Sequence, residues 1–154
     1  MRVLYPPDKF NDDPSMIKSV FLAGTIDMGN SEDWQKTVVD ECCEKDVVFY
    51  NPRRKDWNSE WEQKIGDNKF TEQVEWELES LENVDLILMY LAPGSKSPIS
   101  MLELGIFAKT DKLVVCCPDG FWRKGNIDIV CRKYGIKQVE GLKDFQQEIK
   151  RIIA

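Results

Sequence analysis

Four short, continuous apolar segments recur along this chain, and stretches with helical periodicity separate them. The apolar segments span residues 19–24, 47–50, 86–90 and 113–117. Runs of this length without polar alternation are typical of strands buried on both faces. Their alternation with helices predicts a parallel sheet that is covered by helices on both sides and joined by right-handed crossovers.

The intervening segments predict the helices and two minor strands. Residues 70–83 place Phe70, Val74, Leu78 and Leu81 on one stripe, which is the pattern of a helix packed on a sheet. A second helix is expected over residues 31–45, where Asn30 or Ser31 would cap it and Trp34, Val38 and Cys42 recur at helical spacing. Further helices are predicted at 127–134 and 142–153, with short strands at 3–5 and near Val139.

The segment 85–109 is the best candidate for a functional site. A buried strand, 86–90, leads into a Gly/Pro/Ser loop and then into a helix with one acidic residue, Glu103, among apolar neighbours. The carboxyl edge of a parallel sheet is where open α/β folds bind ligands. Chemistry is therefore expected where this strand ends.

Glu103 has two interpretations in this sequence. Ser100 and Glu103 have the spacing of a capping box, in which the glutamate only closes the start of a helix. Alternatively, Pro98 indicates that the helix begins one turn earlier with Ser97 as its cap, which leaves Glu103 free to face a ligand. The sequence leaves both possibilities open.

The charge balance limits the partners of the protein. The chain has 154 residues, the length of one domain, and its 21 basic and 27 acidic residues give a net charge of −6. This net negative charge does not favour binding to nucleic acid or to an anionic membrane. No apolar run approaches the ~18 residues that are needed to span a bilayer. We expect small ligands or protein partners, with no nucleic acid and no membrane.

Histidine is absent from the chain, which narrows the possible chemistry. Its absence removes the commonest general base, the commonest neutral metal ligand and every Ser-His or Cys-His nucleophile pair. Acid and base roles would fall to carboxylates, and a zinc site is improbable, whereas a carboxylate Mg²⁺ site is not excluded. Five cysteines without C-x-x-C spacing indicate a reduced, cytoplasmic protein in which the Cys42-Cys43 and Cys116-Cys117 pairs are small core residues.

Several polar residues could contribute to a site or could be ordinary surface. The loop 51–69 is long for a compact domain, and its Arg53 and Arg54 could clamp a phosphate or carboxylate or lie on the surface. Ser95, Lys96 and Ser97 could cradle an anion, although G-S-K-S lacks the glycines of a Walker loop. Glu77 is one of four acids on its helix, and helical spacing alone does not distinguish it.

Five collinear motifs resemble the nucleoside 2-deoxyribosyltransferase family. They are FLAGTI (21–26), NPRR (51–54), Q-x-x-W-E followed eight residues later by Asp (Gln73, Trp76, Glu77, Asp85), SPISMLELG (97–105) and CPDGFWRKGN (117–126). The match of SMLELG to the nucleophile turn of the family is the most specific of these motifs.

The resemblance implies a flavodoxin-like, doubly wound fold with five parallel strands and helices on both faces, and a site above the first and third strands. It implies Glu103 as the nucleophile at the anomeric carbon and Glu77, where the family usually has Asp, as the group that handles the base. It also implies a homo-oligomer and no cofactor or metal. The substrate-binding residues that it implies are Leu22, Gly24, Thr25, Ile26, Arg53, Gln73, Ser97, Met101 and Asn126.

Two carboxylates suit the cleavage of an N-glycosidic bond. One opposes the developing oxocarbenium ion and the other serves the leaving group, with ~5 Å between the carboxyl groups when configuration is retained. We expect the helix dipole to hold Glu103 ionised, and burial to raise the pKa of Glu77 toward service as an acid.

The sequence leaves the reaction class open. Transfer of 2-deoxyribose between nucleobases, through a covalent glycosyl-Glu103 intermediate, is the first hypothesis. Related hydrolases of deoxynucleoside 5′-monophosphates have a phosphate-binding Ser at the position of Ser97, whereas the transferases commonly have an acid, so an N-glycosidase is the alternative. A catalytically silent nucleotide-binding or protein-interaction module and cleavage of a dinucleotide such as NAD are the further alternatives.

Overall fold

The computed structural model of the protein describes residues 1–9, 17–27, 31–44, 46–54 and 60–154, and its centre is a parallel β-sheet. The six strands of this sheet lie in the order β1-β3-β2-β4-β5-β6. In chain order the elements are β1 (Arg2–Leu4), β2 (Lys18–Gly24), α1 (Trp34–Asp40), β3 (Val47–Tyr50), α2 (Asn68–Asn83), β4 (Leu86–Tyr90), α3 (Pro98–Phe107), β5 (Leu113–Cys116), α4 (Lys124–Tyr134), β6 (Lys137–Val139) and α5 (Asp144–Ile153).

Successive side chains of β2 enter two different cores. Phe21 and Ala23 pack on one face of the sheet, whereas Val20 and Leu22 pack on the other. This division follows from the two-residue period of a strand, which points neighbouring side chains to opposite faces. A continuous apolar run is therefore what a central strand with helices on both faces requires.

The helices divide between the two faces. Leu81 of α2, Leu104 of α3 and Ile127 of α4 belong to one core. Val38 of α1 and Phe145 of α5 belong to the other. The prediction of a parallel α/β sheet with helices on both faces is confirmed, and the architecture fits the flavodoxin-like class.

The strand number implied by the resemblance is wrong: the sheet has six strands rather than five. The edge strand expected at 3–5 forms at Arg2–Leu4 and pairs in parallel with β3. The strand expected near Val139 forms as β6 and pairs in parallel with β5. Both edge strands have three residues and are partly exposed, because an edge strand needs no continuous apolar run.

Polar caps shift the helix boundaries relative to the sequence prediction. The Asp33 side chain accepts a hydrogen bond from the Lys36 backbone N–H, so α1 begins at Trp34 rather than at 31. It ends at Asp40, and residue 45, the expected end, lies outside the described residues, as does Asn30. Asp67 likewise caps α2, which begins two residues before the predicted position 70. Within the described ranges, no helix is both long and apolar enough to cross a membrane.

The five cysteines are free thiols, and all but one of them are buried. Cys42, Cys116, Cys117 and Cys131 are buried, as core residues should be. Cys43 is exposed, so the interpretation of both doublets as core is wrong for this residue. The helix α1 has already ended at this point, and the side chain is not directed at the sheet by helical geometry.

Candidate functional site

The candidate site lies where β2 and β4 end side by side at the centre of the sheet. Gly24 pairs with Tyr90 in the register of these strands, and the Thr25 N–H donates to the Tyr90 carbonyl at 2.9 Å. Gly24 has φ of 127°, and a Cβ at this position would lie 2.1 Å from the Tyr90 carbonyl oxygen. Only glycine allows the two backbones to approach this closely, which brings the loops after both strands together.

Three hydroxyl groups from these loops form a closed, buried cluster. Thr25 Oγ1 lies 2.7 Å from Ser97 Oγ and 3.0 Å from Ser95 Oγ, and the two serine oxygens are 3.0 Å apart. Thr25 Oγ1 also accepts from the Ala92 N–H at 2.9 Å, and Ser95 Oγ donates to the Ala92 carbonyl at 2.8 Å. These contacts fix the loop between β4 and α3 against the end of β2.

All three hydroxyl hydrogens of this cluster are used in hydrogen bonds within the protein. Each hydroxyl has one hydrogen, and that of Ser95 is used on the Ala92 carbonyl. Two hydrogens, those of Thr25 and Ser97, then remain for three oxygen–oxygen contacts. The cluster has lone pairs to spare and no hydrogen to spare, so Ser97 can donate to a ligand only by leaving one of its partners.

Ser97 also begins α3, but its side chain does not cap the helix. The residue is left-handed, with φ of 44° and ψ of 53°, and its hydroxyl faces Thr25 instead of the helix amides. Because the helix begins at Pro98, Ser100 lies inside it. The capping-box interpretation of Ser100 and Glu103 is therefore wrong, and the interpretation with Ser97 at the N-cap position is confirmed.

Glu103 lies in the second turn of α3 with its side chain turned toward the sheet, and 8% of the residue is exposed. No described residue donates a hydrogen bond to its carboxyl group. Burial raises the pKa of Glu103 to about 8, and the charge of Glu77 raises it further in the same direction. The expectation that the helix dipole holds Glu103 ionised is wrong, because the dipole acts within the first turn and desolvation is larger.

Glu77 lies on α2 and is held by Gln73, one turn earlier on the same helix. The Gln73 Nε2 group donates to Glu77 Oε1 at 2.6 Å and to the Pro52 carbonyl at 3.1 Å. Burial of the carboxyl group raises the pKa of Glu77 to about 7, although the Gln73 hydrogen bond opposes this shift. The expected direction for Glu77 agrees with this result.

The amide oxygen of Gln73 is available as a hydrogen-bond acceptor for a ligand. Both hydrogens of its amide are used, and its Oε1 atom is buried without a hydrogen-bond partner. A buried acceptor without a donor is unfavourable by about 1–3 kcal/mol. A ligand that places an N–H or O–H group against this oxygen would remove that cost.

Glu77 and Glu103 therefore form an interacting pair of enclosed acids. Burial raises the pKa of both acids and the charge of Glu77 adds to the rise at Glu103, so near neutral pH the pair holds about one proton rather than none. One protonated and one ionised carboxyl group are what a general acid and a nucleophile need. Helices α2 and α3, which lie on the same face of the sheet, bring together two residues 26 positions apart.

The Arg53 side chain is hydrogen-bonded to residues at the start of α1. Its guanidinium donates to the Gln35 side chain at 3.3 Å, to the Ser31 hydroxyl at 3.1 Å and to the Glu32 carbonyl at 3.0 Å. It also lies 3.4 Å from the Asp33 carboxylate. These donors are committed to the start of α1, so binding of an anion by Arg53 would require it to exchange partners.

The other substrate-binding residues that the resemblance implied differ in how far they are buried. Leu22 is fully buried in the core shared with α1 and α5, so its side chain does not face the two glutamates. Met101 is half-buried and packs against the core beneath α3. Ile26 is half-buried and its carbonyl accepts from the Ser31 hydroxyl, whereas Asn126 is exposed on α4. Asn126 has no described contact with either glutamate within one chain.

Two residues near the site have positioning roles that their sequence patterns do not predict. Trp34 donates its indole N–H to the Thr25 carbonyl at 2.9 Å, although its spacing indicated only an apolar stripe. Ser95 completes the hydroxyl cluster, although G-S-K-S indicated only a possible anion cradle. An indole or hydroxyl needs a hydrogen-bond partner when it is buried, and this is the signal that could have identified both residues.

A cavity of about 300 Å³ lies at the opposite, amino edge of the sheet. Its lining includes Asp85, Lys137, Glu148 and Arg151. Glu148 is already paired there with Lys137 and with Arg151, so its charge is satisfied within the fold. In the parts of the chain that the structure describes, no group of three or more Cys, Asp or Glu side chains is arranged to hold a metal ion.

Comparisons with known proteins identify the family and agree with the fold. Residues 17–121 match the family model described as nucleoside 2-deoxyribosyltransferase like. The fold is similar to that of a conserved protein from Enterococcus faecalis V583 whose crystal structure is known. The TM-score is 0.62 at 14% sequence identity, over 88% of this chain and 98% of that one. No curated protein matches the chain in sequence.

Proposed function

The chain belongs to the nucleoside 2-deoxyribosyltransferase-like family, and from this membership we propose that it cleaves the N-glycosidic bond of a 2′-deoxynucleoside or its 5′-monophosphate. The observation that carries the proposal is the enclosed pair of Glu77 and Glu103, whose pKa values are raised to about 7 and about 8. Perturbed acids that interact at the carboxyl edge of a central strand are typical of a catalytic site.

In the proposed reaction Glu103 attacks C1′ of the sugar as a carboxylate. The bond between C1′ and the base nitrogen breaks, and Glu77 gives its proton to the departing base. The product is a free base and a deoxyribosyl ester of Glu103. The protonation state that reacts has the proton on Glu77 and the charge on Glu103. It is the less populated of the two singly protonated states, because Glu103 has the higher pKa. The positive charge of the developing oxocarbenium ion stabilises the Glu103 carboxylate in the transition state.

The second half of the reaction is attack on the glycosyl ester. In transfer, a nitrogen of a different nucleobase attacks C1′, the bond between C1′ and the Glu103 oxygen breaks, and Glu103 leaves as a carboxylate. The base gives its N–H proton to Glu77, so both side chains return to their starting states. We place this outcome first, with a nucleoside and a free nucleobase as the small-molecule partners. The free Gln73 Oε1 acceptor suits it, because every nucleobase has N–H groups that could donate there.

Hydrolysis of a 5′-monophosphate is the second candidate, and the surroundings of Ser97 favour it. Ser97 stands before the amino end of α3, where backbone N–H groups suit a phosphate. Lys96 lies beside it, and its carbonyl accepts from the exposed Trp122 indole, whose ring has Arg123 at 4.6 Å. In this reaction water would attack C1′, the bond between C1′ and the Glu103 oxygen would break, and Glu77 would take a proton from the water. Ser97 would turn its hydroxyl from Thr25 to the phosphate.

A base-exchange assay separates these candidates. A deoxynucleoside is incubated with a different free base, and the products are separated by chromatography. A new deoxynucleoside indicates transfer, whereas released base alone indicates hydrolysis. The assay is repeated with the 5′-monophosphate and with NAD.

The matched variants are Glu103→Gln and Glu103→Asp. Gln keeps the size and removes the carboxylate, so the rate should fall by roughly 10³-fold or more. Asp keeps the charge but withdraws it by about one bond length, so an intermediate loss is expected. An unchanged rate in Glu103→Gln would exclude Glu103 as the nucleophile, and no turnover of any of these substrates by the parent protein would contradict the proposal.

A further inference from the structure

The orientation of the Gln73 amide is fixed by its two neighbours. The Pro52 carbonyl oxygen can only accept a hydrogen bond, so the amide atom that faces it at 3.1 Å is the nitrogen. The second hydrogen of that nitrogen goes to Glu77 Oε1 at 2.6 Å. The amide oxygen therefore cannot exchange places with the nitrogen. It is a buried acceptor that no described residue supplies with a hydrogen.

Glu77 supplies the complementary group when it carries its proton. Its Oε1 atom accepts from Gln73, so the favoured acid form carries the hydrogen on Oε2. The oxygen and nitrogen of an amide are about 2.3 Å apart, which puts Gln73 Oε1 within about 5 Å of Glu77 Oε1. The two side chains thus offer a bound molecule one acceptor and one O–H donor in close proximity. This pair of groups is called the Gln73–Glu77 edge.

A base that satisfies the Gln73–Glu77 edge needs an N–H donor beside a proton acceptor. Adenine has this pattern, because its N7 atom accepts and its neighbouring N6 amino group donates. Guanine presents N7 beside the O6 carbonyl, which gives two acceptors in a row, and hypoxanthine has the same two atoms. A 6-oxopurine would therefore place a second oxygen against Gln73 Oε1, and both oxygens would lack a hydrogen.

The proposed cleavage decides which atom of a purine faces Glu77. The base leaves with the electron pair of its C1′–N9 bond, and a proton on N7 keeps the departing base neutral. N7 is a basic ring nitrogen and a better proton acceptor than the carbonyl oxygens of thymine and uracil. When N7 meets Glu77 Oε2, the substituent at C6 of the purine lies on the side of Gln73 Oε1.

From this edge we infer that the site takes 2′-deoxynucleosides of 6-aminopurines, or their 5′-monophosphates, and discriminates against 6-oxopurines. The inference rests on the proposed function and names its substrate class. Glu77 gives its proton to N7 and becomes a carboxylate, the C1′–N9 bond breaks as Glu103 bonds to C1′, and neutral adenine leaves. Gln73 determines specificity, because its oxygen accepts from the N6 amino group.

The wrong purine is rejected strongly because the Gln73 oxygen is buried. A site that hydrogen-bonds an N–H group of its substrate discriminates sharply against an analogue without it, since the buried polar atom of the site is then left unpaired. We expect kcat/KM for deoxyadenosine to exceed that for deoxyinosine roughly 100-fold. These two substrates have the same size, so a steric effect does not explain such a difference.

The first test compares both substrates in the parent and in Gln73→Met. Methionine keeps the length of the side chain and removes the amide oxygen, so the ratio of the two kcat/KM values should fall roughly tenfold or more. The two bases also differ as leaving groups, and comparing ratios cancels this difference. Gln146→Met is the matched control, since Gln146 lies on α5 and donates to the Val38 carbonyl on the other face of the sheet. It should keep the parent ratio.

Two analogues test the two atoms of the base separately. 7-Deaza-2′-deoxyadenosine lacks the N7 acceptor, so its turnover should fall roughly 100-fold or more relative to deoxyadenosine. Purine 2′-deoxyriboside keeps N7 and lacks the amino group. Its kcat/KM should therefore respond less to Gln73→Met than that of deoxyadenosine, because it makes no hydrogen bond to the Gln73 oxygen.

Binding to Glu103→Gln gives a readout that needs no turnover. At about pH 6, where Glu77 keeps its proton, deoxyadenosine should bind this variant roughly tenfold or more tightly than deoxyinosine. Adding Gln73→Met to the same variant should remove the preference. Isothermal titration calorimetry measures both dissociation constants.

The outcomes separate this inference from the proposed function. A substrate ratio that Gln73→Met leaves unchanged, or a parent preference for deoxyinosine, would overturn the inference and leave the cleavage reaction standing. Turnover of pyrimidine deoxynucleosides with neither purine would do the same. If the parent turned over none of these substrates and Glu103→Gln bound the two purine deoxynucleosides equally, the inference and the proposed function would both be wrong.

Discussion

The Gln73 amide nitrogen lies 2.6 Å from the Glu77 carboxylate, and this hydrogen bond opposes the rise in the pKa of Glu77 that burial causes. Gln73 therefore lowers the fraction of molecules in which the proton of the pair lies on Glu77. The pH dependence of the proposed reaction should report this effect.

The rate should follow a bell-shaped pH profile centred between the two raised pKa values, which are about 7 and about 8. Replacing Gln73 by Met removes the donor and keeps the length of the side chain, so the pKa of Glu77 should rise. The optimum of kcat/KM should move to higher pH, since it lies at the mean of the two values. A shift to lower pH would contradict the assigned role of Gln73.

Glu103 should also make the folded protein less stable as the pH rises. Its folded pKa of about 8 is above the ordinary value of 4.5, so the folded state binds more protons than the unfolded state between these values. Stability then falls with pH across this window. Glu103→Gln, which imitates the protonated acid, should match the parent at pH 5 and exceed it by roughly 1–3 kcal/mol at pH 8. Urea unfolding at both pH values measures the difference.

Gly24 should tolerate no side chain. Its φ of 127° and the 2.1 Å approach to the Tyr90 carbonyl oxygen mean that Gly24→Ala must displace either β2 or β4. We expect a loss of about 3 kcal/mol or more in the free energy of unfolding. Gly66→Ala is the control, because a Cβ at that position meets no atom within 4 Å. Equal effects of the two substitutions would contradict the argument.

Thr25 should matter through its hydroxyl rather than its size. Thr25→Val keeps the shape but leaves the Ala92 N–H without its acceptor and removes a partner of Ser95 and Ser97. The expected cost is about 1–3 kcal/mol, whereas Thr25→Ser, which keeps the hydroxyl, should cost clearly less. Thermal unfolding of the two variants decides the point, and a Val variant as stable as the Ser variant would rule out this role for the cluster.

Local sequence patterns were sufficient for much of this architecture. The strand at 86–90 appears with the predicted bounds, because a continuous apolar run between polar flanks defines a buried strand directly. The start of α1 was misplaced because Ser31 and Asp33 are both good caps, and only the fold shows that the Ser31 hydroxyl is used on the Ile26 carbonyl. The two edge strands are short and half-exposed, so their sequences differ little from those of loops.

The candidate site depended more strongly on contacts between distant residues. Pro98 correctly indicated where α3 begins, which released Glu103 from a capping role. The hydroxyl cluster joins Thr25 to Ser95 and Ser97 across 70 and 72 positions, and no local pattern encodes such a contact. The pKa of Glu103 was also misjudged, because its dominant cause is burial by the whole fold rather than its place on a helix.

The enclosed glutamate pair has a thermodynamic signature outside catalysis. Because the two acids hold about one proton near neutral pH, any ligand that fixes their protonation state must take up or release a fraction of a proton from solution. The heat of binding measured by calorimetry would then vary with the ionisation enthalpy of the buffer. Ligand occupancy would be detectable in this way even where no product is formed.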